Sequence, residues 1–227
     1  MIDQYSLKAR VYPLLITLFP ILILGLSFSI KYDTIITSLS SVGIISLFTY
    51  LFSQLGRDLG KKKEKELWRK WGGAPTNIIM QDSGYIDKIT RDRYFAKLET
   101  LCPLENKDEI ENKLKFWTKF LISKTRDTQK FNLLFKENIS YGFRRNLFGL
   151  KPIGLTVVVI ALIFNIVIGT DWPLKFEELS PNWLIPNSGL FILFLFWLLV
   201  VNANWVKIPA FGYAERLFES VENLEQK

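Results

Sequence analysis

Residues 11–30 read VYPLLITLFPILILGLSFSI. No charged side chain interrupts them, and about 20 residues at ~1.5 Å each reach across the roughly 30 Å hydrocarbon layer of a bilayer. Residues 34–55 make a second uncharged run, separated from the first only by Lys31, Tyr32 and Asp33, so the pair reads as a helical hairpin with a tight turn. Working outward, residues 152–170 (PIGLTVVVIALIFNIVIGT) and 189–206 (GLFILFLFWLLVVNANWV) repeat the pattern. Four buried core helices of a soluble protein are the competing explanation. Four uncharged runs of this length in 227 residues favour lipid instead. The predicted fold is an all-α membrane protein with four transmembrane helices and a helical cytoplasmic insert between the second and third.

Charge sets the orientation. Lys8 and Arg10 precede the first run, and Arg57, Lys61, Lys62, Lys63, Lys65, Arg69 and Lys70 follow the second. Arg144, Arg145 and Lys151 precede the third, and Lys207 follows the fourth. The other two connections carry only Lys31 and Lys175, against Asp33, Asp171, Glu177 and Glu178. Basic residues collect on the cytoplasmic side. Both termini and the insert are therefore expected in the cytoplasm. The expected organisation is 1–55 as N-terminal segment and hairpin, 56–151 as cytoplasmic helical domain, 152–206 as the second transmembrane pair with an outer loop at 171–188, and 207–227 as a cytoplasmic amphipathic helix. The first run lacks a small-residue cleavage site and is followed at once by another span, so it is not read as a signal peptide. Pro13 and Pro20 are expected to tilt or kink it.

Composition excludes several chemistries. There is no histidine and one cysteine, Cys102. That removes Ser-His triads, imidazole bases, His-containing zinc sites and any internal disulfide. No carboxylate pair stands at a recognisable catalytic spacing, so no enzyme, metal or cofactor is expected.

Within the insert, residues 55–71 extend the second spanning helix and WGG (71–73) stops it, glycine being the usual C-terminal breaker. APTNIIMQDSGY (74–85) reads as a loop with room for a short extended piece. Helices follow at 87–101, with Ile89, Tyr94 and Leu98 on one side, at 106–123, lined by Ile110, Leu114, Trp117 and Leu121, and at 127–150. Phe211, Leu217, Phe218, Val221 and Leu224 give the tail an apolar face for the insert or for another subunit.

The stretch GRDLGKKKEKELWRKWGGAPT (56–76) is the first candidate binding region. Arg57, Lys61, Glu64, Trp68 and Trp71 share one broad helical face, followed by Gly72 and Thr76. Cations hold phosphate, indole faces stack bases, and glycine lets a backbone approach. Lysines at a membrane border, interfacial tryptophans and helix-ending glycines account for the same letters. Arg91 and Arg93 in TRDRY, Arg126 in TRDTQKF, and Arg144 and Arg145 in ENISYGFRRN complete the candidate ligand set. Against that stand helix capping with local ion pairs for the two TRD motifs, and a positive-inside marker or anionic-lipid contact for the third. Ser38, Ser46, Thr49 and Ser53 on the second run, with Asn202 on the fourth, are candidate pore-lining residues. Close helix packing explains the hydroxyls equally well.

GRDLGKKKEKELWRKWGGAPT, KITRDRYFAKLETL (88–101) and TRDTQKFNLLFKENISYGFRRNLFGLKPIG (125–154) together resemble a family of bacterial multi-pass membrane proteins to which no catalytic motif is attached. In size and layout the chain is also similar to membrane effectors of bacterial anti-phage systems, such as the Hailong-type channel effector. That resemblance implies a nucleotidyltransferase partner and a nucleotide or short nucleic-acid signal. Four short spans cannot enclose a pore alone, so a channel would need a homo-oligomer such as a tetramer. The expected function is an oligomeric, ligand-gated membrane effector. The alternative is a non-channel scaffold whose insert docks a partner protein or anionic lipid.

Overall fold

The computed structural model describes residues 3–27, 42–81, 84–104, 109–169 and 181–225; the side chains of 26–27, 42–49, 168–169 and 181–182 lie outside that description. Every regular element among the described residues is helical. The chain opens with a helical turn at Gln4–Ser6, where Asp3 Oδ1 accepts from the Ser6 N–H at 2.6 Å. A π-helical turn, Leu7–Val11, leads into α1 (Tyr12–Ser27). Among the described residues, three helices are long and apolar enough to cross a membrane: Gln4–Gly25, Asn132–Val167 and Trp183–Val200. Much of the expected second span, 34–55, lies outside the described residues, but α2 (Val42–Trp71) contains its second half.

Contacts divide the chain into two compact units. The first comprises described residues of Met1–Lys63 and Phe143–Trp205, the second those of Glu64–Gly142 and Val206–Lys227. The insert boundary thus falls inside the expected 56–151. Residues 56–63 and 143–151 pack together because glycines bring their backbones close. A Cβ on Gly149 would stand 2.5 Å from the Gly60 nitrogen, and one on Gly60 would stand 2.9 Å from the Asn146 Cα. Nothing larger than hydrogen fits at such a crossing.

In the first unit, α6 (Asn132–Gly169) places Leu147, Leu150, Val158 and Ala161 in one buried cluster with Leu190, Trp197 and Val201. Gly154 makes room for the Trp197 ring, whose Cη2 would lie 2.8 Å from an added Cβ. The partners come from α7 (Pro181–Leu195) and the π-helical turn Phe196–Val200 that continues it. Ile160, Ile163, Ile192 and Leu199 remain outward-facing and exposed, as lipid-facing side chains do. The expected helix over 127–150 and the third apolar segment, 152–170, form one helix among the described residues. Pro152 sits inside a helix that started twenty residues earlier. The fourth segment differs. The helix breaks at Val201 (φ −76°, ψ 85°) and a new one, α8 (Ala203–Glu219), begins, where an unbroken run to 206 was expected.

Every regular element of the second unit among its described residues is a helix. α2 ends in a Schellman turn: the Gly73 N–H donates to Trp68 O (2.8 Å) and the Gly72 N–H to Arg69 O (3.4 Å), with φ of 91° at Gly72 and 151° at Gly73. The expected loop at 74–85 contains a helix, α3 (Pro75–Gln81). Pro75 occupies its first position, where the missing N–H costs nothing, and Ile79 and Met80 are buried. α4 (Lys88–Leu101) is capped by Asp87, whose Oδ1 accepts from Thr90 N. Tyr94 and Leu98 are buried as the periodicity implied, but Ile89 is 81% exposed. α5 (Ile110–Lys124) buries Leu114, Trp117 and Leu121 completely and leaves Ile110 exposed. The tail packs on the insert: Arg93 meets Glu222 at 2.7 Å, Lys97 Nζ donates to Glu222 O at 2.9 Å, and Leu217, Phe218 and Val221 are fully buried.

Candidate functional site

Proline opens this site. In an α-helix the carbonyl of residue i accepts from the N–H of i+4, and proline has none. Pro13 therefore offers no donor to Ala9 O, and Pro209 none to Trp205 O. Both carbonyls are taken by side chains of α6. Asn146 Nδ2 donates to Ala9 O at 2.7 Å, and Arg144 Nη1 donates to Trp205 O at 2.9 Å. One turn on, Lys151 Nζ donates to Val201 O (2.7 Å) and Leu198 O (3.3 Å), carbonyls at the broken end of the fourth apolar helix. A cation at a helix C-terminus also opposes the macrodipole favourably. Three donors on one stretch of α6 thus form a collar that holds backbone oxygens of three neighbouring elements: the N-terminal helix at Ala9, the end of the fourth apolar helix at Leu198 and Val201, and α8 at Trp205.

The collar is sheltered. Asn146 is 1% exposed and Arg145 is 8% exposed. Arg145 Nε and Nη2 each donate to Asn146 Oδ1 at 3.3 Å. The Arg144 guanidinium also lies over the Trp205 ring, 4.9 Å from its centroid, a cation–π contact that strengthens as water leaves. Two of the elements held by the collar carry a π-helical turn at the contact, Leu7–Val11 and Phe196–Val200. Such turns are rare and are frequent at functional sites.

The second unit holds a different feature, a cavity of about 530 Å³ lined by Thr100, Phe120, Lys124, Lys130, Asn223 and Glu225 among others. Two ammonium groups, a hydroxyl, a carboxamide and an aromatic ring are groups that a phosphate-bearing ligand can use. Lys124 Nζ stands over the Phe120 ring at 5.6 Å. Elsewhere in this unit, Trp71 packs edge-on to Phe211 (6.1 Å between centroids), which also meets Tyr85 at 4.9 Å and carries the Lys207 ammonium over its face.

The predicted ligand set does not assemble into one site. Arg57, Lys61, Arg144 and Arg145 belong to the first unit, and Trp68, Trp71, Gly72, Thr76, Arg91, Arg93 and Arg126 to the second. Several are engaged within the chain: Arg57 with Asp58 (3.1 Å), Arg91 with Gln81 O (3.4 Å), and Arg93 with Glu222. Lys61 and Arg126 are exposed. Glu64 accepts from the Tyr141 hydroxyl at 2.6 Å. The TRD threonines are not the caps. Asp87 caps α4, and Asp127 Oδ1 accepts from Gln129 N and Lys130 N ahead of α6. Of the pore-lining candidates, Ser38 and the side chains of Ser46 and Thr49 lie outside the described residues. Ser53 is buried and donates to Tyr50 O (2.8 Å). Asn202 spends its carboxamide on its own backbone, accepting from Trp205 N (3.0 Å) and donating to Leu199 O (2.8 Å), as an N-cap does.

Sequence reasoning read Asn146 only as one of the polar residues of ENISYGFRRN that could form a buried network, and missed Lys151, Lys124 and Lys130 as functional candidates. The signal for Asn146 and Arg144 was present: a proline four residues beyond a carbonyl marks an oxygen in need of a donor, and Pro13 and Pro209 mark Ala9 O and Trp205 O; the oxygens that Lys151 serves are marked by no proline. No family model matches the chain, and neither a curated protein nor a solved structure matches it.

Proposed function

We propose that the chain is a multi-pass protein of a bacterial inner membrane, with four spans and both termini cytoplasmic, that works as a ligand-gated homo-oligomeric channel or membrane-disrupting effector. The observation that carries this reading is the collar. Helices in lipid must satisfy every backbone group internally. Here three flanking elements depend on removable side-chain donors of α6 for that satisfaction. A rotation of α6 would release Ala9 O, Trp205 O and Val201 O together, so α6 and these elements have a shared alternative state. Residues 132–142 of the same helix belong to the second unit, which bears the Lys124–Lys130 cavity. A nucleotide or short oligonucleotide is the ligand class, with the lysines taking phosphate. A role in anti-phage defence beside a nucleotidyltransferase rests on the resemblance in layout alone.

The scaffold reading draws support from the cations of the predicted ligand set that are already bonded within the chain. Flux measurements on proteoliposomes separate the two. The channel reading expects ion release on adding nucleotides or short oligonucleotides, and binding that weakens steeply with salt. Lys124→Glu with Lys130→Glu should abolish both. Absence of binding at low salt together with absence of flux would leave the scaffold.

A further inference from the structure

Five buried polar atoms of the first unit have no hydrogen-bond partner among the described residues: Arg10 Nε, Asn165 Nδ2, Trp183 Nε1, Asn187 Oδ1 and Trp197 Nε1; those of Asn165, Trp183 and Asn187 belong to the ends of α6 and α7 remote from the collar. Asn165 is 3% exposed, on the stripe of α6 that also carries Gly154, Val158 and Ala161. Asn187 and Trp183 are one turn apart on α7, on the stripe that carries Leu190 and Trp197. The two helices run antiparallel, since Lys151 reaches Val201 O while Gly154 faces Trp197. From Gly154 to Asn165 is about 16.5 Å along α6, and from Trp197 back to Asn187 is about 15 Å, at ~1.5 Å per residue. The two carboxamides therefore lie at the same level on facing stripes. Asn187 Nδ2 donates to Trp183 O at 2.8 Å, which fixes the carboxamide's orientation and leaves Oδ1 as the unused end.

We propose that Asn165, Asn187 and Trp183 form a binding site for a single water molecule between the third and fourth apolar helices. The donor inventory selects the ligand. Two N–H groups require an occupant that accepts twice, and one carbonyl oxygen requires an occupant that donates. A metal cation cannot accept, and a chloride or carboxylate cannot donate. Water does both, and buried waters typically satisfy about three such partners. An unpaired amide in an apolar interface is costly, so the site explains how an asparagine is tolerated at 165. It also fixes the register of the two helices at the end remote from the collar.

Water-edited solid-state NMR of the full chain in lipid, labelled with ¹⁵N at asparagine and tryptophan, tests this. The Asn165 side-chain amide and the Trp183 indole should gain water magnetisation as early as exposed groups do. The Trp197 indole, fully buried and packed on Gly154, should lag several-fold behind. Asn165→Leu should slow the Trp183 build-up several-fold. Each single leucine variant at 165 or 187 should lower the thermal midpoint by about 4 °C, and the double variant should recover most of that loss. Slow build-up at Trp183 and Asn165 alike, matching Trp197, would overturn the site. So would a density map showing Asn165 Nδ2 bonded directly to Asn187 Oδ1.

Discussion

Replacing Asn146 with leucine tests the collar most directly. Leucine matches asparagine in shape, so the tight crossing at Gly60 is left nearly unchanged. What changes is hydrogen bonding. Ala9 O loses the 2.7 Å donor that stands in for the N–H Pro13 lacks, and Arg145 loses the acceptor of two 3.3 Å bonds. Each buried polar group stripped of a partner costs about 1–3 kcal/mol. The pair together should cost about 2–4 kcal/mol, and a chain of this size shifts by ~2–4 °C per kcal/mol, giving a midpoint roughly 5–15 °C lower. Thermal unfolding in detergent, followed by tryptophan fluorescence, reads that shift. A second substitution separates the carbonyl from everything else. Pro13→Ala supplies Ala9 O with a backbone donor, so Asn146→Leu combined with Pro13→Ala should cost about 1 kcal/mol less than it does in the parent. The reasoning fails if the loss is the same on both backgrounds. It fails equally if Asn146→Leu leaves the midpoint within about 1 °C of the parent, a shift worth only about a quarter to a half of a kcal/mol.

Arg144→Gln should weaken the hold on Trp205 O and remove the ring contact, with a loss of about 1–2 kcal/mol that shrinks when Pro209→Ala provides the missing N–H; the same double-mutant unfolding measurement checks it. Gly149→Val should prevent normal folding, because its side chain would meet the Gly60 and Leu59 backbone, whereas Gly56→Ala meets only the end of the Leu150 side chain and should be mild; yield of monodisperse protein on size exclusion distinguishes them. Bonds from the Thr90 backbone and hydroxyl pull the Asp87 carboxyl below its ordinary range, and the Lys130 and Gln129 N–H groups do the same for Asp127. Both caps therefore contribute stability that is complete above the ordinary aspartate pKa and is lost as pH falls through the lowered values; unfolding of the Asp87→Asn and Asp127→Asn variants should show a flatter acid limb than the parent. Burial, with Glu219 and Glu222 adding to it, raises the Tyr94 phenol. Its contribution is complete below the ordinary tyrosine pKa and fades as pH rises past the raised one, which a phenolate absorbance titration against Tyr94→Phe would detect.

The helical class, the stop at Gly72–Gly73 and the buried positions Leu98, Leu114, Trp117 and Leu121 were legible because each rests on short-range periodicity or on a residue with one conformational use. Pro75 misled because a proline after glycines marks a turn and a helix start equally; the burial of Ile79 and Met80 decides, and burial is tertiary. The end of the fourth segment misled because VVNANWV carries no charge, although Asn202 breaks and recaps the helix by hydrogen bonding. The candidate site was less legible still. Arginine and lysine announce charge but not destination, and Arg93 and Arg144 go to a glutamate and a carbonyl more than 60 positions away. What the sequence does print is the missing donor: Pro13 and Pro209 each name an oxygen that a side chain of α6 serves.

The crossing of Gly60 and Gly149 makes a pivot. Where Gly60 meets Gly149, main chain lies against main chain with no side chain between, so a tilt about that point disturbs the contact least. The arm of α6 from Gly149 to Gly169 is about 30 Å long, so a tilt of about 5° would swing its far tip by about 2.6 Å. A displacement near the fulcrum too small to disturb neighbouring side chains would thus become, at the tip, one wide enough to pass a water molecule.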